Sequence, residues 1–277
     1  MKKRIIAALI MIPLTVAVLL ANDEIVLFAV TLLSLAAAYE ISLSYGFGVK
    51  ETPAAFIYLM ASPLIAGMMT LSVLKTGRSP EVAKLIFFIY LVLGFIIILF
   101  NHAKIKVRNV MSAMALCFVI TFFFMHAVNI RTDLEFGRES LWIVLVGACL
   151  TDTFALFVGQ YFGKRKLAPE ISPKKTVAGS VGGSAGAVLS VLLYGGILKL
   201  IEPSLGINFA LLALLGFLSS LFAQLGDLSL SAVKREAGIK DYGNIIPGHG
   251  GILDRIDSVV FTAPLVYYFL LYFHVFY

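Results

Sequence analysis

Residues 248–277 read GHGGILDRIDSVVFTAPLVYYFLLYFHVFY. After Gly251 the stretch is almost wholly apolar, and a helix needs roughly 20 mostly apolar residues to cross a bilayer. Its first turn nevertheless carries Asp254, Arg255 and Asp257. A carboxylate at membrane depth costs about 2.5–3.5 kcal/mol on insertion scales, so such residues mark functional sites by default. The stretch sets two questions: how many segments like it the chain holds, and what the acids at its mouth are for.

The composition answers the first. The 277 residues are 60% hydrophobic and 14% charged, and the mean hydropathy is +0.96. A soluble domain of this length cannot bury that much apolar surface, so the fold class is all-α, a polytopic integral membrane protein. Nine apolar runs are long enough to be spans: 5–21, 25–45, 54–74, 85–100, 110–130, 141–162, 177–201, 207–233 and 252–276. The first follows Met-Lys-Lys-Arg and has the outline of a secretory leader. Its end, Leu19-Leu20-Ala21, is a poor small-x-small cleavage site, so it is read as an uncleaved helix. Cys117 and Cys149 both fall inside spans, with neither a disulfide framework nor metal-ligand spacing.

With nine spans and the N-terminus inside, the inner loops hold 15 Lys and Arg residues and the outer side 6, leaving Arg255 within a span. The positive-inside rule therefore predicts a cytoplasmic N-terminus and an outer Tyr277. The net charge of +6 is concentrated on one face, suited to anionic headgroups or phosphates rather than to nucleic acid.

The two halves differ. Residues 1–130 are predicted to be a bland scaffold of Leu, Ile, Val, Phe and Ala; their one acid within a span, Glu40, is placed at the membrane interface. Residues 131–277 are predicted to be the catalytic region. They contain the two longest cytoplasmic loops, 163–176 and 234–251, and four acids within spans: Asp152, Asp227, Asp254 and Asp257. Asp254 and Asp257 are three apart and share a helix face. Gln224, Asp227 and Ser231 form a second polar stripe by the same spacing. Two carboxylate stripes at one depth suit a divalent cation, and oxygen-only ligands select Mg²⁺, Mn²⁺ or Ca²⁺ over zinc. The alternative is a set of ion pairs, Arg255 with one acid and Lys234 with another.

The first loop, GKRKLAPEISPKKT, carries five basic residues and one acid. Pro169 and Pro173 prevent a continuous helix. Its SPKKT end runs into VAGSVGGSAGA, and amides at that helix start, with Lys174 and Lys175, would bind an anion; a generic positive-inside loop reads the same way. In KREAGIKDYGNIIPGHGG, several glycines allow a ligand close to the backbone. His249 is a base, a phosphate contact or an interface residue. Neither a P-loop nor a dinucleotide fingerprint is present.

Taken together, SAVKREAGIKDYGNIIPGHGGILDRID (231–257) closely resembles the signature of the phosphatidate cytidylyltransferases, or CDP-diacylglycerol synthases. The match runs through Ser231, Lys234, Arg235, Lys240, Asp241, Pro247, His249, Gly250, Gly251, Asp254, Arg255 and Asp257. Asp152 with FGKRKLAPEISPKKT resembles a second block of that family, which departs here at Gln160 and Ala178. The resemblance implies Mg²⁺-dependent reaction of CTP with phosphatidic acid at the cytoplasmic face of the cell's inner membrane. Carried over residue by residue, it implies that Asp227 and Asp254 hold the metal and Asp257 supports it. Asp152 would ligate a second cation or line the polar cavity. Lys174, Lys175, Lys234, Arg235 and His249 would contact phosphates. It also favours a homodimer, for which the small-residue face of the seventh span is suited.

Two rivals fare less well. CDP-alcohol phosphotransferases place their aspartates at a different spacing. A transporter would tend to show two similar halves, whereas the intramembrane acids here crowd into one.

Overall fold

A computed structural model describes residues 2–76, 80–246, 248 and 250–277, with side chains described at 9–65, 84–246, 248 and 250–277. The order of elements is α1 (Lys2–Leu20), α2 (Asp23–Ser44), α3 (Pro53–Thr76), α4 (Pro80–Asn101), α5 (Val107–Asp133), α6 (Gly137–Phe162), β1 (Lys166–Ala168), β2 (Ser172–Thr176), α7 (Val177–Ile201), α8 (Phe209–Glu236) and α9 (Leu253–Tyr272). All nine expected helices therefore appear among the described residues. Six of them are long and apolar enough to cross a membrane: those within Asp23–Ser44, Lys84–Asn101, Val107–Asp133, Gly137–Phe162, Val177–Ile201 and Phe209–Glu236. The all-α membrane fold class is borne out.

The chain divides into two compact units, Met1–Thr132 with Ala237–Arg255, and Asp133–Glu236 with Ile256–Tyr277. In the first, α2 starts at Asn22, whose side chain accepts from the Ile25 N–H, with Asp23 and Glu24 in the first turn. Both features favour a helix N-terminus. Arg131 near the end of α5 ties down this start, pairing with Asp23 at 3.0 Å and donating to the Ala21 carbonyl at 3.1 Å. Tyr58 of α3 stacks on Tyr90 of α4, ring centroids 4.5 Å apart. Its hydroxyl donates to the Tyr90 carbonyl at 2.9 Å, so a buried polar group is satisfied.

In the second unit α6 packs chiefly on α7, and α7 on α8. Small residues on α7 set the approach: a Cβ at Gly179 would lie 2.6 Å from the Ala155 carbonyl oxygen. Membrane helices without a hydrophobic drive toward each other gain cohesion through such close backbone packing.

Besides shifts of a few residues at most helix ends, three local features depart from the sequence expectation. The loop 163–176 contains an antiparallel hairpin, with Lys166 opposite Thr176 and Ala168 opposite Ser172; its prolines exclude a helix but not a short two-stranded ribbon. The eighth helix starts at Phe209 rather than 207, because Asn208 caps it by accepting from the Leu211 N–H at 3.1 Å. The ninth ends at Tyr272 rather than 276. The last residues leave the helix and pair with 206–208: Gly206 N–H donates to the Tyr277 carbonyl at 2.7 Å and Asn208 N–H to that of Val275 at 2.9 Å.

Candidate active site

The second unit brings acids together from three helices: Asp152 on α6, Asp227 on α8 and Asp257 on α9. Asp257 is buried and feels the charges of Asp227, Asp152 and Lys234. Ser258, the next residue on α9, links two of them. Its hydroxyl donates to Asp152 Oδ2 at 2.7 Å and lies 3.4 Å from Asp257 Oδ1. A hydroxyl has one proton to give, so the short contact is the hydrogen bond, while Asp257 Oδ1 takes the Ser258 N–H at 2.9 Å.

Asp227 is held from two sides. Ser231, one turn on, donates to its Oδ1 at 3.3 Å, and the Lys175 ammonium pairs with its Oδ2. Lys175 sits at the end of β2, just ahead of α7, which Thr176 caps by accepting from the Gly179 N–H at 3.1 Å. The SPKKT stretch is therefore a strand running into a capped helix, and period-2 alternation turns Lys174 and Lys175 to opposite sides. Lys174 is exposed and Lys175 half-buried. Lys234 is buried. Arg235 is exposed and donates through Nε to the Ile171 carbonyl at 3.2 Å, fixing the hairpin to the end of α8.

Below Asp227 by one helical turn, Gln224 continues the polar stripe. Ser180 Oγ donates to its Oε1, and its Nε2 donates to Ser184 Oγ at 3.2 Å and Ser220 Oγ at 3.0 Å. The stripe expected from spacing is thus joined to the serines of α7 by hydrogen bonds.

In the first unit, the segment 237–255 carries the rest of the signature. Asp254 is buried, and its Oδ2 accepts from Tyr242 N–H at 2.8 Å and Gly251 N–H at 3.0 Å. Expected as a metal ligand, Asp254 joins the two ends of the loop through these amides. Glu40 of α2 joins this segment, accepting from Ile252 N–H at 2.8 Å and Leu253 N–H at 2.9 Å. It is buried, 1% exposed, near the end of α2 where the sequence places it. Sequence spacing had no means to find this partnership. Ser258 was also missed, although it stands directly after the acid it serves. His249 lies outside the described residues.

Whether these groups suit a cation depends on their chemistry. Asp152, Asp227 and Asp257 offer only hard oxygen donors, the set that Mg²⁺ prefers. Among the described residues no three His, Cys, Asp or Glu side chains are grouped so as to hold a metal ion by themselves. Mg²⁺ takes one or two carboxylates and completes its shell with water and substrate phosphates, so it does not require three such side chains.

Comparison with known proteins identifies the chain's relatives. Phosphatidate cytidylyltransferase of Bacillus subtilis is 44% identical over 147 residues, 53% of this chain and 53% of its own. That of a Synechocystis strain is 51% identical over 137 residues, 49% of this chain and 45% of its own. The chain thus spans about half the length of these two relatives. The protein of the same name from Thermotoga maritima is 29% identical over 268 residues, 96% of this chain and 95% of its own. The model of the cytidylyltransferase family matches residues 2–273. That match takes in the apolar first half along with the signature, and so the chain belongs to the cytidylyltransferase family.

Proposed function

We propose that the chain is a phosphatidate cytidylyltransferase, which moves the cytidylyl group of CTP onto phosphatidic acid and releases pyrophosphate. The observation that carries this reading is the linking of Asp152 to Asp257 through Ser258, with Lys175 paired to Asp227. The names of the relatives and the family match support it.

A phosphate oxygen of phosphatidic acid bonds to the α-phosphorus of CTP. The bond from that phosphorus to the bridging oxygen breaks, and its electron pair leaves with pyrophosphate. Both reactants are anions, so the task is alignment and charge neutralisation, with little covalent chemistry for the protein to perform. When bound to Asp227 and Asp257, with Asp152 beside them, Mg²⁺ supplies positive charge to the triphosphate and the developing pyrophosphate. Lys175 is held at this level by its ion pair with Asp227 and is set to turn its ammonium, still on the side chain, toward a phosphate oxygen. Lys174, Lys234 and Arg235 add charge around it, and the Thr176 cap fixes the strand end that carries both lysines. The reaction belongs at the cytoplasmic face of the cell's inner membrane, where one substrate is a lipid and the other is dissolved.

The test is pyrophosphate release by the purified protein in detergent, given CTP and phosphatidic acid with and without EDTA. Release that requires both substrates and is abolished by EDTA is the expected result. Folded, lipid-replete protein that releases none would overturn the reading.

A further inference from the structure

Glu40 is a buried acid with no role in the chemistry above. An ionised carboxylate away from water is tolerated only when its oxygens are matched by donors. Both of its oxygens are matched, and by the same short piece of backbone: Oε1 takes the Ile252 N–H and Oε2 the Leu253 N–H. These amides belong to the start of α9, whose first N–H groups have no partner within the helix. Glu40 therefore caps α9 from another helix, and its negative charge lies where the helix dipole favours it.

The loop is also shaped to the carboxylate. A Cβ at Gly243 would lie 2.7 Å from Glu40 Oε1, and one at Gly251 would lie 2.5 Å from Oε2. Two glycines from opposite ends of the loop thus press their backbones on one acid. Asp254 closes the same loop by joining Tyr242 to Gly251. We infer that Glu40 is a positioning residue for the cytidylyl transfer: α2 uses it to fix the backbone at Gly243 and at 251–253 and the first turn of α9, and so the setting of Asp254 on that turn. The inference rests on the proposed reaction for its effect on turnover, but not for its effect on the loop.

The test pairs hydrogen–deuterium exchange of the full chain in detergent with steady-state kinetics on CTP and phosphatidic acid. In Glu40→Gln one amide oxygen remains to accept, while the new NH₂ faces a backbone N–H. Exchange in peptides covering 241–253 is expected to quicken by about tenfold or more, with α7 and α8 unchanged. The same variant should lose about tenfold or more in kcat with its KM for CTP within about threefold, as misplaced groups rather than lost binding would give. Gly251→Ala should reproduce both effects. In Glu40→Ala the added methyl has room, so the double variant Glu40→Ala/Gly251→Ala should be no worse than the poorer single one. If Glu40→Gln does not accumulate as folded protein, Gly251→Ala and the double variant decide the matter. Unaltered exchange over 241–253, or strictly additive losses in the pair, would overturn the inference. A wild-type protein without turnover on these substrates would overturn the proposed reaction instead, leaving exchange to judge Glu40.

Discussion

Lys175 places an ammonium directly on the Asp227 carboxylate, and both groups are partly open to solvent. Such a pair holds itself ready for an anion: the lysine has a partner in the absence of substrate and a better one in a triphosphate. Lys175→Met should therefore lower kcat/KM for CTP by about 100-fold, roughly 2.7 kcal/mol of transition-state stabilisation. Lys174→Met, at the exposed neighbouring position, should cost about tenfold or less. Initial rates at varied CTP check both, and equal losses would show that the alternation along β2 does not matter. At this scale the sequence is legible where a residue is out of place in its surroundings. Asp152, Asp227 and Asp257 stand out because carboxylates in apolar runs are expensive. Glu40 is equally out of place, yet its meaning stayed hidden because its donors are backbone amides 212 and 213 residues further along. Main-chain partners leave no mark in a sequence.

Among the elements, the helices were legible in kind and position because their apolar runs match the bilayer, while their ends were set by local capping. Asn208 and Thr176 decide where α8 and α7 begin, and neither belongs to the hydropathy pattern. The hairpin was not legible: five and three residues of strand are too few for alternation to show, and the two prolines speak only against a helix. The contact of α6 with α7 gives a sharper prediction. A methyl at Gly179 would meet the Ala155 carbonyl at 2.6 Å, and neither is the end of a flexible side chain. Gly179→Ala should therefore force the helices apart and destabilise the protein by about 1–3 kcal/mol, the usual range for overpacking. Gly196→Ala, on the same helix with nothing within 4 Å of the added carbon, should be neutral or slightly stabilising. Thermal unfolding in detergent compares the two; equal midpoints would mean that α6 and α7 do not depend on this close approach.

On the scale of the whole molecule, charge asymmetry makes the strongest demand. The basic residues concentrate in segments that an inside N-terminus and nine crossings put in the cytoplasm, and a lipid-plus-nucleotide reaction requires its phosphate-binding loops on that side. The prediction follows from both arguments and is read by labelling, without an activity assay. Lys164 lies in the loop before β1 and Glu202 just after α7, and both are exposed. One crossing, α7, separates them. With Cys117 and Cys149 replaced, Lys164→Cys should react with a membrane-impermeant maleimide in inverted vesicles and stay unlabelled in intact cells. Glu202→Cys should show the opposite pattern. Reversed labelling of the pair would put the hairpin and its lysines on the outer face, where cytosolic CTP has no access, and the proposed reaction would fall with the topology. Labelling of both from one side would mean that α7 does not cross, despite being 25 residues long and apolar enough to do so. Labelling as predicted would put Lys175 and Asp227 at the cytoplasmic edge of the bilayer, within reach of both a lipid phosphate and a dissolved nucleotide.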